Sequence, residues 1–491
     1  MLEQLNVECE MVGAYRHPVE PLFYRVIDGK PYWSGDLAEL VKDTGGAPID
    51  YDHLWKWLIG GPVRYTDSTL FQEIKRLYTG EYLWLKPGKV GKVSQSPFVY
   101  KPESDRTMES HVQDVGNALV SACRKMPGDF TLLGLSGGLD SRILACAMKK
   151  AQMNFSAFTY GFGYQFEEAI IAQQVARRLD VEWDFWQIPG LDYVRCADIG
   201  ISVSNGESLY KHGVQNGMYQ YLGQVYKNIV FGSALDLLIG DSYPYRNISN
   251  YLDSTYLFGR SRSFQMFKNE EYESEIWQQA KKDKKDLFKQ IPKGDCQEDD
   301  IRAFVFDTRV RRWYNANLIY PFWYMNVLLP TYDLEFLDAV SRVPYEYRKG
   351  DQFRVALLRY LDKWGVGNVN YNATGVPANI DSEIAIMFED AQRDIENTKE
   401  ELWQDEGIYI PSYKYEVDLK ACYRLFPEFA AFLLDAFEPL CDTLREDYLL
   451  KLLAEHVGGK ADHMRKLTQL ASAGLMLKWA RGIIKNTPIT A

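Results

Sequence analysis

Between Phe130 and Phe231 the sequence alternates short apolar runs with amphipathic stretches, and this alternation limits the possible fold more than any other feature. The runs are typical of β-strands, whereas the stretches between them repeat apolar residues at helical spacing. Such an order favours a parallel sheet covered by helices, with ligands at the carboxyl ends of its strands. The predicted elements are strand 130–135, helix 141–149, strand 154–160, helix 166–179, strand 181–188, helix 218–226 and strand 228–231.

The chain has a different pattern on either side of this alternation. Residues 1–102 contain short strand-like runs broken by Gly, Pro and Asp, among them 22–27 ahead of the hairpin signal Asp28-Gly29. Beyond residue 250 the periodicity is mainly helical. We therefore predict an α/β fold whose parallel sheet has helices on both faces and a helical C-terminal part. A small β-rich domain is predicted over residues 1–105 and a second domain over residues 106–491.

The hexapeptide Ser136-Gly-Gly-Leu-Asp-Ser141 lies between the first predicted strand and helix of the alternation. A strand that turns into a helix there presents backbone N–H groups, two hydroxyls and the positive end of a helix to one small volume, which suits an anion. We expect Gly137 and Gly138 to supply positive φ angles and close backbone approach. Asp140 would repel phosphate by itself, so its expected role is to hold a Mg²⁺ ion that bridges to the phosphates. The alternative is a Gly-rich turn that merely caps a helix.

This loop lacks the lysine of the Gly-x4-Gly-Lys-Ser/Thr phosphate loop, which argues against transfer of the γ-phosphate and favours pyrophosphate as a leaving group. The hexapeptide resembles the Ser-Gly-Gly-x-Asp-Ser signature of the asparagine-synthetase-like members of the ATP pyrophosphatase superfamily. Tyr160-Gly161 is similar to the family's second-strand segment, whose backbone borders the adenine. The segment from Gly232 to Gly240 resembles a divergent form of the family's Gly-Glu-Gly-x-Asp-Glu-x-Phe-Gly, in which Asp236 matches a second magnesium-holding aspartate.

The resemblance implies a synthetase fold of the adenine nucleotide α-hydrolase type over residues 106–491, with ATP and Mg²⁺ as cofactors. Residues 29–37 and 60–81 are similar to the later half of the family's Ntn-type glutaminase domain. The implied catalytic residues are Asp140, Asp236 and Ser233, and the two aspartates are the implied metal ligands. The implied residues of the ATP and pyrophosphate site are Leu135, Ser136, Gly137, Gly138, Leu139, Asp140, Ser141, Tyr160, Gly161 and Gly232.

The N-terminal domain departs from the family pattern. Members that use glutamine need a catalytic cysteine directly after the initiator methionine, but Leu2 stands there and Cys9 lacks the family context. We therefore expect a shortened, degenerate glutaminase-like domain with a structural role and without glutaminase activity.

The second domain departs from the pattern at two places. Ser233 stands where the family commonly has Glu or Tyr. In the segment 371–377, which resembles the family's Arg-x-Lys-x-Gly-x-x-x-Pro, Ala373 or Thr374 occupies the place of the lysine that stabilises the acyl-adenylate transition state. Candidate replacements elsewhere in the chain are Arg354, Arg359 and Lys363.

The resemblance implies an ATP-dependent, AMP-forming ligase that adenylates a carboxylate and transfers the acyl group to an amine or ammonia. Its partners would be a small-molecule or peptide carboxylate and an amine donor, since family relatives make asparagine, close β-lactam rings or cyclise peptides. Two alternatives stay open: a different adenylating reaction of the superfamily, such as tRNA thiolation or NAD synthesis, and an ATP-binding pseudoenzyme or scaffold of the same fold.

Charge and composition narrow the partners further. The 491 residues carry a formal net charge of −11, so the chain lacks the general basic surface that nucleic acids require. No apolar run approaches the roughly 18 residues that span a bilayer, and the start of the chain lacks a secretory leader, which favours the cytoplasm without membrane contact. The seven cysteines have no metal-ligand spacing and are expected to be free thiols.

Three further features give expectations. The charged run 281–286 predicts a solvated helical face. His212 is a candidate for the substrate pocket, and the alternative is a histidine that is satisfied within the fold or faces solvent. The amphipathic segment 464–485 is expected to pack on its own domain or on a partner subunit, which leaves a homo-oligomer open.

Overall fold

The computed structural model of the chain describes most of its length. The described residues are 10–13, 19–61, 63–86, 89–94, 98–162, 166–240, 248–254, 265–314, 317–371, 373–380, 382–406 and 419–484. Within these ranges, no helix combines the length and the apolar character needed to cross a bilayer.

The N-terminal part is β-rich, as predicted. Its strands are β1 (Glu10–Val12), β2 (Phe23–Ile27), β3 (Lys30–Ser34), β4 (Lys75–Arg76), β5 (Glu81–Lys86) and β6 (Lys89–Ser94). They form two three-stranded antiparallel sheets in the orders β1-β5-β6 and β3-β2-β4. Asp28 and Gly29 join β2 to β3 with φ angles of 49° and 75°, the positive values that a tight hairpin turn needs.

The central sheet is parallel and has five strands within the described residues. These are β7 (Thr131–Gly134), β8 (Ser156–Gly161), β9 (Trp183–Gln187), β10 (Asn228–Val230) and β11 (Asn326–Leu328), in the order β11-β10-β7-β8-β9. The chain goes from β7 to β8 on one side and later returns to β10 on the other side. Ligands of such sheets bind where the strand order reverses, so this topology places a crevice at the carboxyl ends of β7 and β10.

Helices cover both faces of the sheet. Neighbouring residues of each strand point to opposite faces, so one strand contributes to two separate cores. On β7, Leu133 belongs to a core shared with the helices Met108–Arg124, Leu139–Lys150, Glu167–Leu179 and Gln352–Leu361. Leu132 faces the other side, where the core is shared with the helices Ala197–Val203, Val214–Leu222 and Ile319–Phe322. The predicted α/β architecture with two covered faces is therefore confirmed.

The C-terminal part is helical. One helix of it, Met464–Ala480, is buried along almost its whole length, so it packs within its own chain. Its core includes Leu54 and Trp55 of the N-terminal part, so the first and last parts of the chain share one apolar cluster. The domain boundary at residue 105 stays a prediction.

The other α-helices are mostly short. Their bounds are Leu37–Asp43, Tyr51–Gly60, Asp192–Arg195, Leu235–Ile239, Ile248–Asp253, Glu270–Gln290, Gln297–Val305, Leu334–Ser341, Tyr345–Arg348, Ser382–Glu406, Leu419–Leu425, Pro427–Phe437 and Glu446–Val457. Single turns of 3₁₀-helix lie at Tyr210–Gly213, Pro330–Tyr332, Lys349–Asp351, Val366–Asn368 and Glu438–Leu440, and Phe306–Tyr314 is π-helical.

Several predictions of detail were wrong. The strand β11 lies in a region predicted to be mainly helical, and the helix predicted at 218–226 runs over Val214–Leu222. The helical spacing of residues 166–179 predicts an apolar stripe of Ala169, Ile170, Val175 and Leu179, but Ile170 is 46% exposed, because Ile171 faces the core instead. Lys284, in the run predicted to be solvated, is buried and donates to the carbonyl oxygen of Tyr251.

Candidate active site

The hexapeptide forms a closed turn directly after β7. The backbone N–H of Ser136 donates to Ser141 Oγ at 3.3 Å, and the Oγ atoms of Ser136 and Ser141 are 3.2 Å apart. The N–H of Gly138 donates to Ser136 Oγ at 3.3 Å. The following helix begins at Leu139, two residues earlier than predicted, so its N-terminal N–H groups belong to the loop itself.

The two glycines of the loop have different roles, which corrects the expectation of positive φ at both. Gly137 has φ of 74°, and a Cβ there would lie 2.6 Å from Cγ2 of Ile171. Gly138 has φ of −71° and ψ of 167°, the extended conformation of a helix N-cap, which any residue adopts. Only Gly137 is required by backbone conformation and by close packing.

Arg142 stabilises the loop through hydrogen bonds from its buried side chain, a role that no local sequence pattern indicated. Its guanidinium is fully buried and donates to the carbonyl oxygens of Gly137 at 2.7 Å and Val369 at 2.6 Å. Burial lowers its pKa to about 10, which still leaves the group charged near pH 7. Arg142 thereby joins the loop to the segment that leads into residues 371–377.

Asp140 and Asp236 lie together, as the resemblance implies. Asp236 follows β10 at the start of the helix Leu235–Ile239, and its backbone N–H donates to Asp140 Oδ2 at 3.1 Å. Arg354 Nη1 lies 2.8 Å from Asp140 Oδ1. Desolvation raises the pKa of Asp140 to about 6; the Arg354 guanidinium opposes the rise, and the Asp236 carboxylate adds to it.

These two carboxylates fit a Mg²⁺ ion. Two neighbouring carboxylates disfavour each other's ionised form, and a divalent cation between them removes that penalty. Mg²⁺ in nucleotide sites is usually held by one or two carboxylates together with phosphate oxygens. Across the described parts of the chain, no group of three or more His, Cys, Asp or Glu side chains is placed to hold a metal without such help.

The turn before Asp236 is strained. Ala234 has φ of 73°, in the left-handed region that residues with a Cβ rarely adopt. In the resembling family segment, Gly-Glu-Gly-x-Asp, this position is glycine. Non-glycine residues in this conformation cluster at functional sites, where the surrounding structure imposes the strain.

The loop of residues 136–141 and the turn that leads to Asp236 both border one cavity of about 650 Å³ at the carboxyl ends of β7 and β10. Of the predicted site residues, those that line it are Leu135, Ser136, Asp140, Ser141, Tyr160, Gly232, Ser233 and Asp236. Gly137, Gly138, Leu139 and Gly161 are not among its lining residues. Gly137 and Leu139 are instead buried behind the loop surface. The structure thus brings the three implied catalytic residues, Asp140, Asp236 and Ser233, to one space.

The cavity also contains residues that the sequence did not single out. Lys211 and Arg309 bring two basic side chains to its wall, and Phe158, Tyr193 and Tyr219 bring aromatic rings. His212 lines the cavity, as the sequence suggested. Desolvation, with a contribution from the Lys211 charge, lowers the pKa of His212 to about 3, so its ring is neutral near pH 7.

None of the proposed replacements for the family lysine reaches the cavity wall. Residues 371 and 373–377, which include Ala373 and Thr374, do not line it. The Arg359 side chain donates to the carbonyl oxygen of Asn379 at 3.0 Å, and Lys363 is likewise absent from the wall. Arg354 is not a lining residue, but its Nη1 lies 2.8 Å from Oδ1 of the lining residue Asp140.

Comparison with known proteins gives partial matches. The asparagine synthase family matches residues 131–196, from β7 to the helix Asp192–Arg195. Asparagine synthetase [glutamine-hydrolyzing] 1 of Bacillus subtilis (strain 168) is 25% identical over 171 residues, which are 33% of this chain. That match spans only about a quarter, 26%, of the relative's own length.

Among solved structures, NMN synthetase from Francisella tularensis aligns over 44% of this chain and 94% of its own, with 15% identity. The TM-score of that alignment is 0.22, too low to support a structural argument.

Proposed function

We propose that this chain, which is asparagine-synthetase-like in the part that carries residues 136–141, its proposed phosphate loop, adenylates a carboxylic acid with ATP and transfers the acyl group to an amine or ammonia. The observation that carries the proposal is the contact of the Asp236 N–H with the Asp140 carboxylate at 3.1 Å. It joins the ends of β7 and β10 at the point where the strand order reverses. An anion-binding loop and two carboxylates for Mg²⁺ thus face one cavity.

In the first half-reaction, a carboxylate oxygen of the acid attacks the α-phosphorus of ATP. The bond from that phosphorus to the bridging oxygen of the β-phosphate breaks, so an acyl-adenylate forms and pyrophosphate leaves. Negative charge grows on the departing pyrophosphate. Ser136 and Ser141 line the cavity, and the following helix begins at Leu139, so their hydroxyls and the N–H groups at the start of that helix would donate to the developing charge.

Asp140 and Asp236 would hold the Mg²⁺ ion of MgATP, and the positive charge of that ion would offset the negative charge of the phosphates. Arg354 keeps the Asp140 side chain in place, since the pair is 2.8 Å apart and the guanidinium is buried. The carboxylates therefore position the nucleotide for in-line attack.

In the second half-reaction, the amine nitrogen attacks the acyl carbon, AMP leaves with the C–O electron pair, and the nitrogen loses a proton. Ser233 lies at the cavity wall, and its carbonyl oxygen accepts a hydrogen bond from Thr331 Oγ1 at 2.7 Å. We propose that it shapes the amine side of the pocket. We also propose that the chain takes its amine directly, without glutaminase activity, and acts in the cytoplasm on small-molecule or peptide carboxylates rather than nucleic acid.

One observation favours a second candidate, an ATP-binding pseudoenzyme of the same fold. Residues 371 and 373–377, whose family counterpart supplies the lysine of the acyl-adenylate step, contribute no lining residue to the cavity. A pseudoenzyme would bind MgATP without activating an acid, and pyrophosphate exchange distinguishes it from the ligase.

The proposal is tested by ATP–pyrophosphate exchange against a panel of carboxylic acids, followed by assay of the active acid with ammonia and amines. Exchange is expected with at least one acid and is expected to fail in Asp140→Asn. Asp129→Asn is the matched control, because Asp129 is an exposed carboxylate before the same strand. Exchange that needs no acid and is indifferent to Asp140→Asn would refute the ligase. MgATP binding without exchange for any acid would favour the pseudoenzyme.

A further inference from the structure

The two basic side chains of the cavity wall, Lys211 and Arg309, lie on two separate segments. Each segment touches the cavity on one side and the N-terminal part of the chain on the other. In both cases the contact with the N-terminal part combines buried ion pairs with hydrogen bonds. The structure therefore connects the β-rich N-terminal part to the charged wall of the cavity.

The first segment contains Glu207, four residues before Lys211. The Glu207 carboxylate pairs with Arg76, and its Oε1 lies 3.6 Å from Nε of Arg64, with all three residues no more than 6% exposed. Arg64 also donates to the Glu207 carbonyl oxygen. Two residues earlier, the Asn205 side chain accepts from the N–H of Leu37 at 2.8 Å. The N-terminal part thus fixes this segment directly before the 3₁₀ turn that carries Lys211.

The second segment is the π-helix Phe306–Tyr314, a rare conformation that is frequent at functional sites. Arg309 and Val310 of this helix line the cavity. Its next two residues face the N-terminal part: Arg311 Nη1 donates to the carbonyl oxygen of Thr79 at 2.7 Å, and Arg312 Nη2 lies 3.8 Å from Glu81 Oε1. Consecutive residues of one helix therefore contact the cavity and the N-terminal part.

The two segments are also joined to each other. Arg64, which pairs with Glu207, donates to the carbonyl oxygen of Arg312 at 3.2 Å. Ser208 Oγ donates to Oδ1 of the cavity residue Asn317 at 2.6 Å. The contacts therefore form one continuous connection from the N-terminal part through both cationic segments.

Buried ion pairs add little net stability, because the cost of removing charges from water offsets their attraction. Their defined geometry does fix the relative positions of the elements that carry them. Glu81 is only 2% exposed, lies within 4.0 Å of both Arg311 and Arg312, and accepts from the N–H of Tyr78 at 3.0 Å. These partners fix the position of the Glu81 carboxylate. Its contacts with Arg311 and Arg312 in turn fix the position of the π-helix.

We propose that Glu207 and Glu81 are positioning residues for Lys211 and Arg309, and that these two cations bind the carboxylate of the acid substrate beside the α-phosphate. The inference rests on the adenylation proposed above. A carboxylate and a phosphate repel each other, so the attack needs positive charge between them. The segment 371–377 brings no lysine to the cavity wall, whereas Lys211 and Arg309 are on it. The N-terminal part is then a component of the acid site.

The positioning step is tested by amide hydrogen exchange on the full chain. Glu207→Gln is expected to raise exchange about tenfold within residues 204–213, and Glu81→Gln within residues 306–312, because each removes a charge and keeps the side-chain shape. Exchange in β7 and the phosphate loop is expected to stay unchanged. Glu73→Gln is the control, since this N-terminal carboxylate pairs with Arg25 at the surface and its side chain is 71% exposed.

The binding step is tested with the acid that supports pyrophosphate exchange. Lys211→Met and Arg309→Met are each expected to raise the KM for that acid about tenfold, with the affinity for MgATP within about twofold of the wild type. Arg309→Lys is expected to restore part of the loss. Glu207→Gln and Glu81→Gln are expected to raise the same KM with a smaller effect on kcat.

Each result has a distinct meaning. Unchanged hydrogen exchange in both segments overturns the positioning inference, and so does a uniform rise over the whole chain, which reports general destabilisation. Weaker MgATP binding in Lys211→Met and Arg309→Met, with the acid KM unchanged, assigns the cations to the nucleotide and overturns the acid site. If no acid supports exchange, the proposed adenylation fails and the acid site fails with it, while hydrogen exchange still decides the positioning.

Discussion

The phosphate loop and the cationic wall of the cavity face the same space but are built differently. The loop consists of six consecutive residues between β7 and the next helix, and its internal contacts join residues no more than five positions apart. The wall combines Lys211 with Arg309, and the π-helix that carries Arg309 reaches the N-terminal part through Arg311 and Thr79, 232 residues apart. The proposed nucleotide site is thus built from local structure, whereas the proposed acid site is built from tertiary contacts.

The largest effect is expected from the loop. Asp140→Asn removes a carboxylate at the Mg²⁺ position while leaving the side-chain shape, so pyrophosphate exchange should fall about 10²- to 10³-fold. The rate of exchange measures this directly, and hydrogen exchange of residues 204–213 and 306–312 should not change. A change in the hydrogen exchange of those segments would show that the loop and the cationic wall are coupled to each other.

A second effect concerns Arg354, which connects the loop to the helix Gln352–Leu361. Arg354→Met leaves Asp140 without its 2.8 Å partner and should lower the free energy of unfolding by about 3 kcal/mol in denaturant titration. The double variant with Asp140→Asn should lose less than the sum of the single variants, because both remove the same ion pair. Arg359→Met, on the same helix but exposed, should change stability little, and an equal loss there would contradict the assigned role.

A third, smaller effect tests the backbone of the loop. Gly137→Ala puts a Cβ at φ of 74° and 2.6 Å from the Ile171 side chain, so unfolding free energy should fall by about 2 kcal/mol and MgATP affinity should fall with it. In Gly128→Ala the added Cβ meets open space, so stability should stay near that of the wild type. Full MgATP affinity in Gly137→Ala would show that the loop tolerates a different geometry.

The smallest effect is expected at the turn before Asp236. Ala234→Gly relieves the left-handed conformation of a residue with a Cβ, and should raise the unfolding free energy by about 0.5–1 kcal/mol. Ala454→Gly, in an exposed helical position, should instead lower it by about 1 kcal/mol. A loss of stability in Ala234→Gly would mean that its methyl group contributes packing that outweighs the strain.

Much of the central sheet could be predicted from local pattern. β7, β8, β9 and β10 were each found within a few residues, because buried parallel strands are short continuous apolar runs that Gly, Pro and helical periodicity separate. β11 was missed because its three residues, Asn326–Leu328, lie shortly after the helix Ile319–Phe322 and form no distinct apolar run. Its pairing with β10 is a long-range contact, which no local window contains.

Burial within helices was less predictable. The helical spacing correctly selected Ala169, Val175 and Leu179, but Ile170 and Ile171 are adjacent and equally apolar. Which of them faces the core depends on where the helix packs. Lys284 is buried among charged neighbours because the Tyr251 ring and its carbonyl oxygen accept the ammonium group, a contact between distant elements.

Local sequence was enough to place the loop of residues 136–141 between a strand and a helix, and the family resemblance paired Asp140 with Asp236. This was possible because the conformation of the loop depends on consecutive residues, with a glycine at positive φ and the start of a helix. The tertiary structure was needed to show that Lys211 and Arg309 line the cavity, that residues 371 and 373–377 do not, and that ion pairs join both cationic segments to the N-terminal part. Ion pairs between distant residues depend on how the layers pack, and each partner taken alone looks like an ordinary charged residue.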